Sequence, residues 1–290
     1  MAELSGRIAV VTGANSGVGK SAARLLGEAG AEVVMVCRSR VRGERARVEL
    51  QQSAAADVVL EIADLSSQAD VRALGERLAT RLERLDILVN NAGVWRQRLE
   101  GSPEGFELTF ATNHLGHFLL THLLLDRLAA GRGRIVNVSS EAHRRGDLRR
   151  ADLETVARGG DWRGGIQAYG DSKLANVLFT FESVRRWGGR GIAADALHPG
   201  VLATRIWNQN SGPISLLMRL FKPFLSSSDV GGKAVMHLVA DPASDGASGR
   251  YFKVEEEVEP APPARDEELA RELWERSERW TGLDAGAPRA

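Results

Sequence analysis

Short, uninterrupted apolar runs that alternate with helical patterns constrain the fold of this chain more than any other feature of its sequence. Strands that are apolar along their whole length are typical of a parallel sheet, because helices cover both of its faces. We therefore predict an α/β fold, a doubly wound parallel sheet in a single domain. The predicted strands are residues 8–12, 33–37, 58–63, 87–90, 134–138 and 192–197, and helical patterns lie at residues 22–29, 69–82, 104–128 and 168–187.

Two longer segments interrupt this alternation, at residues 141–165 and 204–228. Both follow predicted strand ends, where open α/β sheets bind their ligands. The second is rich in large apolar side chains, so we predict that it closes over a substrate; the alternative is a pair of surface helices packed on the core. Residues 1–255 are predicted to form the ligand-binding and catalytic domain, and residues 256–290 a C-terminal extension with one amphipathic helix at 266–280.

The charge balance excludes partners that a strong electrostatic field would recruit. Lys plus Arg and Asp plus Glu each number 38, so no net charge attracts nucleic acid or an anionic membrane. The single cysteine, Cys37, forms neither an internal disulfide nor a multi-cysteine metal site, which favours a reducing compartment. No signal peptide and no membrane span is predicted. We expect a cytoplasmic protein with no metal site, no nucleic-acid partner and no membrane association.

A glycine-rich turn joins the first predicted strand to the first helix. Residues 12–19 follow the pattern TGxxxGxG. Glycines allow the backbone to turn tightly and to approach a pyrophosphate, whose charge the helix N-terminus stabilises. The alternative is a purely structural turn. The position of the pattern after a strand predicts a Rossmann fold that binds a dinucleotide through Gly13, Asn15, Ser16, Gly17, Val18 and Gly19.

The end of the second strand indicates which dinucleotide is bound. An acidic residue there would bind the ribose 2′-hydroxyl, whereas a basic residue accepts a 2′-phosphate. The sequence has Arg38 at this point and no carboxylate, so NADP(H) is favoured over NAD(H). Arg38 as an ordinary surface cation is the alternative. Asp64 and Leu65 follow the third strand, where an adenine ring would lie, although Asp64 is equally a candidate helix cap.

Tyr169 and Lys173 stand four positions apart in a helical pattern, so both side chains share one face of the helix. The chain has two tyrosines and five lysines, and the expected number of chance matches to this spacing is roughly 0.03. A phenol is a poor acid-base catalyst at neutral pH unless a neighbouring ammonium favours its ionised form. Ser140, which follows the fifth strand, is placed to hydrogen-bond a substrate oxygen, or alternatively to cap a helix.

These motifs stand in the order found in the short-chain dehydrogenase/reductase family, together with the NNAG sequence at residues 90–93 and the HPG sequence at residues 198–200. The chain resembles that family over residues 5–255. The sequences at residues 37–38, 112–118 and 171–176 resemble the branch of the retinol dehydrogenases and the WW-domain oxidoreductase. Because no membrane anchor is predicted, we do not expect a lipid retinoid substrate.

The resemblance implies a role for each residue of the site. Tyr169 would be the general acid or base, Ser140 would hold the carbonyl, Lys173 would lower the phenol pKa and bind the nicotinamide ribose, and Asn113 would anchor a water that links Lys173 to solvent. Arg38 and the glycine turn would meet the adenosine phosphates. The nicotinamide end would be surrounded by Asn91, Ala92, Gly93, Pro199, Gly200, Val201 and Thr204.

Two departures from the family pattern stand out. Asp171 puts a negative charge between Tyr169 and Lys173, and 29 residues separate Ser140 from Tyr169, more than in most family members. The resemblance also implies a homodimer through helices at residues 104–128 and 168–187.

The expected activity is that of an NADP(H)-dependent carbonyl reductase or alcohol dehydrogenase acting on a small or medium apolar substrate. The alternatives are a nucleotide-sugar epimerase of the same superfamily, whose glycine turn would be TGxxGxxG, and a non-catalytic NADP(H)-sensing regulator. The presence of Asn113, Ser140, Tyr169 and Lys173 argues against a regulator whose catalytic residues have been lost.

Overall fold

The computed structural model describes residues 3–200, 228–240 and 248–283. Its strands are β1 (Ile8–Thr12), β2 (Glu32–Cys37), β3 (Val58–Ile62), β4 (Ile87–Asn90), β5 (Arg134–Val138), β6 (Ala193–His198), β7 (Tyr251–Lys253) and β8 (Glu256–Glu257). They form one sheet in the order β3-β2-β1-β4-β5-β6-β7-β8, in which every pair is parallel except the final hairpin of β7 and β8. The doubly wound parallel sheet predicted from the sequence is confirmed.

The helices are α1 (Gly17–Glu28), α2 (Arg40–Gln51), α3 (Gln68–Arg81), α4 (Leu108–Phe110), α5 (Gly116–Leu123), α6 (Leu125–Gly131), α7 (Leu153–Arg158), α8 (Gly165–Trp187), α9 (Ser228–Ala240) and α10 (Glu267–Trp280). A π-helical turn, Ala111–Leu115, joins α4 to α5, and a 3-10 turn, Glu141–Arg145, follows β5. Within these ranges, no helix combines the length and the apolar character that crossing a membrane requires.

Both faces of the sheet are covered, as alternation along β1 shows. Val11 points to one face and packs in a core with Leu26 of α1 and Leu238 of α9. Val10 points to the other face and packs with Leu74 of α3 and with residues of α5. Because the chain proceeds from β1 to β2 on one side and later places β4 on the other, a crevice opens at the carboxyl ends of β1 and β4.

The helix predicted at residues 104–128 is not continuous. Gly101 and Glu107 form an isolated antiparallel bridge, and the Glu107 carboxylate accepts a hydrogen bond from the Phe110 N–H at 2.7 Å, so the helix begins only at Leu108. The π-helical turn interrupts it again, and α5 ends at Leu123. An apolar pattern does not reveal these interruptions, because a capped turn and a π-helical turn keep the same residues buried.

The C-terminal helix α10 lies against α5 and α8, the helices predicted to form a dimer interface. Trp274 is 5.1 Å from Phe118 and 4.9 Å from Trp187, measured between ring centroids. The homodimer stays a prediction. Because α10 already covers one face of α5 and α8, a dimer interface on these helices would have to lie beside α10. The predicted domain boundary at residue 255 falls inside the β7–β8 hairpin, where Phe252 pairs with Glu257.

Candidate active site

A cavity of about 780 Å³ lies at the carboxyl edge of the sheet. Its wall contains most of the residues that the sequence predicted: Gly13, Asn15, Ser16, Gly17, Val18, Arg38, Asp64, Leu65, Asn91, Ala92, Gly93, Ser140, Tyr169, Lys173, Pro199 and Gly200. Asn113 and Gly19 lie behind that wall. Val201, Thr204 and nearly all of the predicted substrate segment at 204–228 lie outside the described residues. Ser228, the last residue of that segment, begins α9.

The wall also contains residues that sequence reasoning did not assign to the site. Arg42, Trp95, Arg145 and Ile166 are among them. Trp95 stands two positions after the NNAG sequence, and Arg42 stands four positions after Arg38, so proximity in the chain was the only available signal.

The N-terminus of α1 has the features of an anion-binding site. Ser16 is the N-cap residue, yet its side chain makes no capping hydrogen bond, and the first turn carries no acidic residue. The first N–H groups of a helix have no partner within the helix, and the helix dipole is positive there. Ser16, Gly17 and Val18 line the cavity, and Gly17 has φ of 58°. The turn therefore fits the pyrophosphate of a dinucleotide.

Two glycines of the turn serve packing more directly than phosphate binding. A Cβ atom at Gly19 would lie 2.3 Å from the Asn91 amide nitrogen, and one at Gly13 would lie 2.9 Å from Cα of Ala92. Real Cβ atoms do not approach that closely. Gly13 and Gly19 therefore let the loop after β4 lie directly against the turn, and this fixes the two segments that would flank a cofactor.

A buried histidine, His117, connects this turn to the helical side of the site. Its Nδ1 lies 3.0 Å from the Asn113 carbonyl oxygen, and its Nε2 lies 2.9 Å from the Thr12 hydroxyl. Because a carbonyl only accepts, Nδ1 carries the proton and Nε2 accepts from Thr12. The Thr12 oxygen in turn accepts from the Asn91 N–H at 2.8 Å. Burial lowers the pKa of His117 to about 4, so the ring is neutral.

Asn113 is fully buried within the π-helical turn, and its side chain acts as a brace. Its Oδ1 accepts from the Val94 N–H at 2.8 Å, and its Nδ2 donates to the Val94 carbonyl and to Ser172, each at 3.0 Å. The side chain thus fixes the loop after β4 to α8. The water relay that the family resemblance implied for Asn113 stays a prediction.

Lys173 and Tyr169 both reach the cavity from α8. The Lys173 ammonium donates to the Val138 carbonyl at 2.8 Å, and it lies 5.6 Å from the centre of the Tyr169 ring. Burial lowers the pKa of Lys173 to about 8 and raises the pKa of Tyr169 to about 12. Burial therefore opposes the lowering of the phenol pKa that we predicted for Lys173, and that effect stays a prediction.

Ser140 serves as a helix cap and also faces the cavity. Its side chain accepts from the Ala142 N–H at 3.2 Å, at the start of the 3-10 turn. Its hydrogen bond with Tyr169 acts to lower the pKa of that phenol. Since the oxygen accepts from Ala142, the hydroxyl proton is available for donation to Tyr169 or to a substrate oxygen.

Arginine side chains mark the far end of the cavity. Arg38 lies 3.8 Å from the Asp64 carboxylate, and its side chain is 49 % exposed. The Asp64 carboxylate stabilises a turn, because its Oδ1 accepts hydrogen bonds from the N–H and the hydroxyl of Ser66. Arg42 adds a second guanidinium to the wall, from the first turn of α2. Among the described residues, no cluster of histidine, cysteine or acidic side chains is arranged to hold a metal ion.

Comparison with known proteins identifies the family. The model of the short chain dehydrogenase family matches residues 7–151. Mouse retinol dehydrogenase 12 is 40 % identical over 274 residues, which cover 94 % of this chain and 85 % of that protein. The chain belongs to the short-chain dehydrogenase/reductase family. It is thus an oxidoreductase of the retinol dehydrogenase branch, as its motifs indicated.

Solved structures of similar fold agree. An uncharacterised protein from Mycobacterium paratuberculosis is 31 % identical, with a TM-score of 0.77 over 97 % of this chain and 96 % of that one. Pseudomonas aeruginosa RhlG, in an active-site complex with NADP, is 26 % identical, with a TM-score of 0.69 over 87 % of this chain and 96 % of that one.

The short-chain dehydrogenase described here departs from the family pattern at Asp171, and the structure shows where that charge goes. Asp171 lies outside the cavity wall, 2.8 Å from a guanidinium nitrogen of Arg150. It also accepts from the Asp147 N–H and the Gln167 amide, each at 2.9 Å. Asp171 therefore anchors the insertion after β5, residues 141–164, and points away from the reacting side chains.

Most of that insertion is packed rather than open to a ligand. Leu153 and Val156 of α7 lie in a core cluster with Phe106. Of residues 141–164, only Glu141, Ala142 and Arg145 reach the cavity wall. The additional residues between Ser140 and Tyr169 thus mainly form a packed segment of this dehydrogenase.

Proposed function

We propose that this chain is an NADP(H)-dependent oxidoreductase that transfers hydride between nicotinamide and the carbonyl or alcohol of a small or medium apolar substrate. The observation that carries the proposal is that Ser140, Tyr169 and Lys173 lie in one cavity wall, with Asn113 directly behind them. Three segments that are far apart in sequence supply these side chains: the turn after β5, the π-helical turn and α8.

The residues of this chain would bind the substrate oxygen and move the proton, while the bound nicotinamide would supply or accept the hydride. Tyr169 is the general acid in reduction and the general base in oxidation. With a pKa near 12 its phenol is protonated at neutral pH, which is the form that reduction requires. Ser140 donates to the carbonyl oxygen as negative charge develops there.

Three observations support NADP(H) as the cofactor. Arg38 and Arg42 lie in the wall, and no carboxylate follows β2. Guanidinium groups form charge-assisted bonds with phosphate. The P. aeruginosa relative of similar structure is in a complex with NADP. The cytoplasmic location predicted from the sequence remains a proposal, to be checked by fractionation.

The experiment is to follow NADPH and NADH absorbance during incubation with apolar aldehydes and ketones, and NADP and NAD with the matching alcohols. We expect turnover with at least one carbonyl compound, and a lower KM for NADPH than for NADH. Tight NADPH binding by fluorescence without any turnover would instead favour the non-catalytic sensor. Equal or tighter binding of NADH would contradict the cofactor preference.

A further inference from the structure

A second buried histidine, His143, has no role in the chemistry described above. It lies in the 3-10 turn that Ser140 caps, three positions after that serine, and it is completely buried. A buried imidazole needs partners for both ring nitrogens, because an unpaired polar group away from water is costly.

Both ring nitrogens of His143 have backbone partners, and together these define one tautomer. Nδ1 lies 2.8 Å from the Ser140 carbonyl oxygen, and Nε2 lies 2.9 Å from the Ala261 backbone nitrogen. A carbonyl only accepts and an amide N–H only donates, so Nδ1 carries the proton and Nε2 accepts. The Tyr251 hydroxyl lies 3.2 Å from Nδ1 and its ring packs against the imidazole. Burial lowers the pKa of His143, in keeping with a neutral ring.

These two bonds connect parts of the chain that are far apart in sequence. On one side, the Ser140 carbonyl accepts both from the ring and from the His143 backbone N–H at 3.0 Å. On the other side, Ala261 belongs to the segment between β8 and α10. That segment leads into α10, which packs against α8, the helix that carries Tyr169 and Lys173.

We propose that His143 is a positioning residue that holds Ser140 in place relative to Tyr169 by joining the Ser140 turn to the C-terminal segment at Ala261. This inference rests on the proposed function, since it gives His143 a purpose only if Ser140 binds the reacting oxygen. The bond to the Ser140 carbonyl fixes the serine, and the bond to Ala261 fixes the ring. A misplaced donor costs rate rather than substrate binding, because its bond matters most in the transition state.

Three substitutions distinguish the contributions of the two hydrogen bonds, to the Ser140 carbonyl and to the Ala261 N–H. His143→Asn places an amide N–H near the position of Nδ1 and has nothing at Nε2, so it keeps the Ser140 bond. His143→Gln reaches the position of Nε2 with an acceptor for Ala261 and gives up the Ser140 bond. His143→Phe keeps the ring volume and loses both bonds.

We expect kcat to fall about tenfold or more in His143→Gln and His143→Phe and only about threefold in His143→Asn, with the Kd for NADPH unchanged in all three. The melting temperature should follow a different order, because His143→Gln retains the Ala261 bond that His143→Asn loses. If kcat instead decreased in step with melting temperature across the three variants, or stayed at the native value in all of them, the positioning role would be overturned.

The ring ¹⁵N spectrum of the native protein tests the geometry without any need for turnover. It should show His143 as the neutral Nδ1–H tautomer, assigned by the loss of its signals in His143→Asn; the opposite tautomer would contradict the proposal. Tyr169→Phe, assayed in parallel, reports on the proposed function itself. Native activity that disappears in Tyr169→Phe but survives every His143 substitution would remove only the inference about His143.

Discussion

The two ends of the cavity are constructed in different ways. The cofactor end is local: residues 12–19 follow one another along the chain, and the loop after β4 packs against them through Gly13 and Gly19. The catalytic end is assembled from distant segments, since His143 bonds to Ala261, 118 positions away, and Asp171 pairs with Arg150 of the insertion.

This difference separates what each end contributes. A local turn presents backbone N–H groups that bind an anion whatever the rest of the site does. A catalytic serine and tyrosine need relative placement to within about 0.5 Å, and only long-range contacts provide it. Substitutions at the cofactor end should therefore change cofactor affinity, and those of the catalytic side chains should change rate, whereas the substitution of an outlying support such as Asp171 should mainly change stability.

The largest expected effect is at the catalytic end. Tyr169→Phe removes one proton donor and almost no volume, so kcat should fall by about 10² to 10⁴ while NADPH affinity is retained. Steady-state kinetics and cofactor fluorescence on the same preparation measure both quantities. A variant that keeps more than about a tenth of the native rate would contradict acid-base catalysis by this residue.

The next effect concerns the pH dependence of stability. Because the folded protein releases the Lys173 proton near pH 8 and the unfolded chain near 10.5, the unfolded state holds more protons between these values. The free energy of unfolding contributed by this group therefore rises with pH across that window, by about 3 kcal/mol.

Urea unfolding of the native protein and of Lys173→Met from pH 7.5 to 10.5 measures that rise. The native protein should gain stability relative to the variant as the pH increases. Lys253→Met, at an exposed lysine, is the matched control and should follow the native protein. If the difference in free energy of unfolding between the native protein and Lys173→Met stayed constant across this pH range, the Lys173 ammonium would not be buried.

At the cofactor end the effects should be smaller and confined to binding. Arg38→Ala and Arg42→Ala should each weaken NADPH binding by about 1.5 to 3 kcal/mol, and leave NADH binding unchanged, because a phosphate contact is lost. Arg40→Ala, at an exposed neighbour outside the cavity wall, is the control. Equal losses for both cofactors would mean that these arginines do not meet the 2′-phosphate.

The smallest effect is expected at Asp171. Asp171→Asn keeps an acceptor for the Asp147 N–H and removes the charge beside Arg150, which still pairs with Asp161. We expect a loss of about 1 to 2 kcal/mol in the free energy of unfolding, with kcat close to native. A large fall in kcat at native stability would place Asp171 in the chemistry after all.

The difference between the cofactor end and the catalytic end also explains how much of each could be predicted from the sequence. Six strands were predicted to within one residue at each end, because each is a continuous apolar run. β7 and β8 were missed, since runs of three and two residues carry no recognisable pattern. The glycine turn was predicted from a contiguous pattern, and its predicted binding residues other than Gly19 line the cavity.

The residues that support the catalytic end are not marked by a comparable pattern in the sequence. Tyr169, Lys173 and Ser140 were found through their spacing and family order, and all three line the cavity. His117 and His143 were not, because a histidine in an apolar helix or after a strand says nothing about which backbone atoms it will meet. Tautomer and partner are properties of the folded chain.

The aromatic contact of α10 also sets an order of events during synthesis. Phe118, Phe179 and Trp187 pack against Trp274, which follows Trp187 by 87 positions. At ~5 to 20 residues per second, about 4 to 17 s pass on the ribosome between the two tryptophans. During that interval the helix bearing Tyr169 and Lys173 is complete, yet the part of its aromatic surface that Trp274 covers is exposed. The nascent chain must therefore be shielded from other apolar surfaces until its last helix emerges.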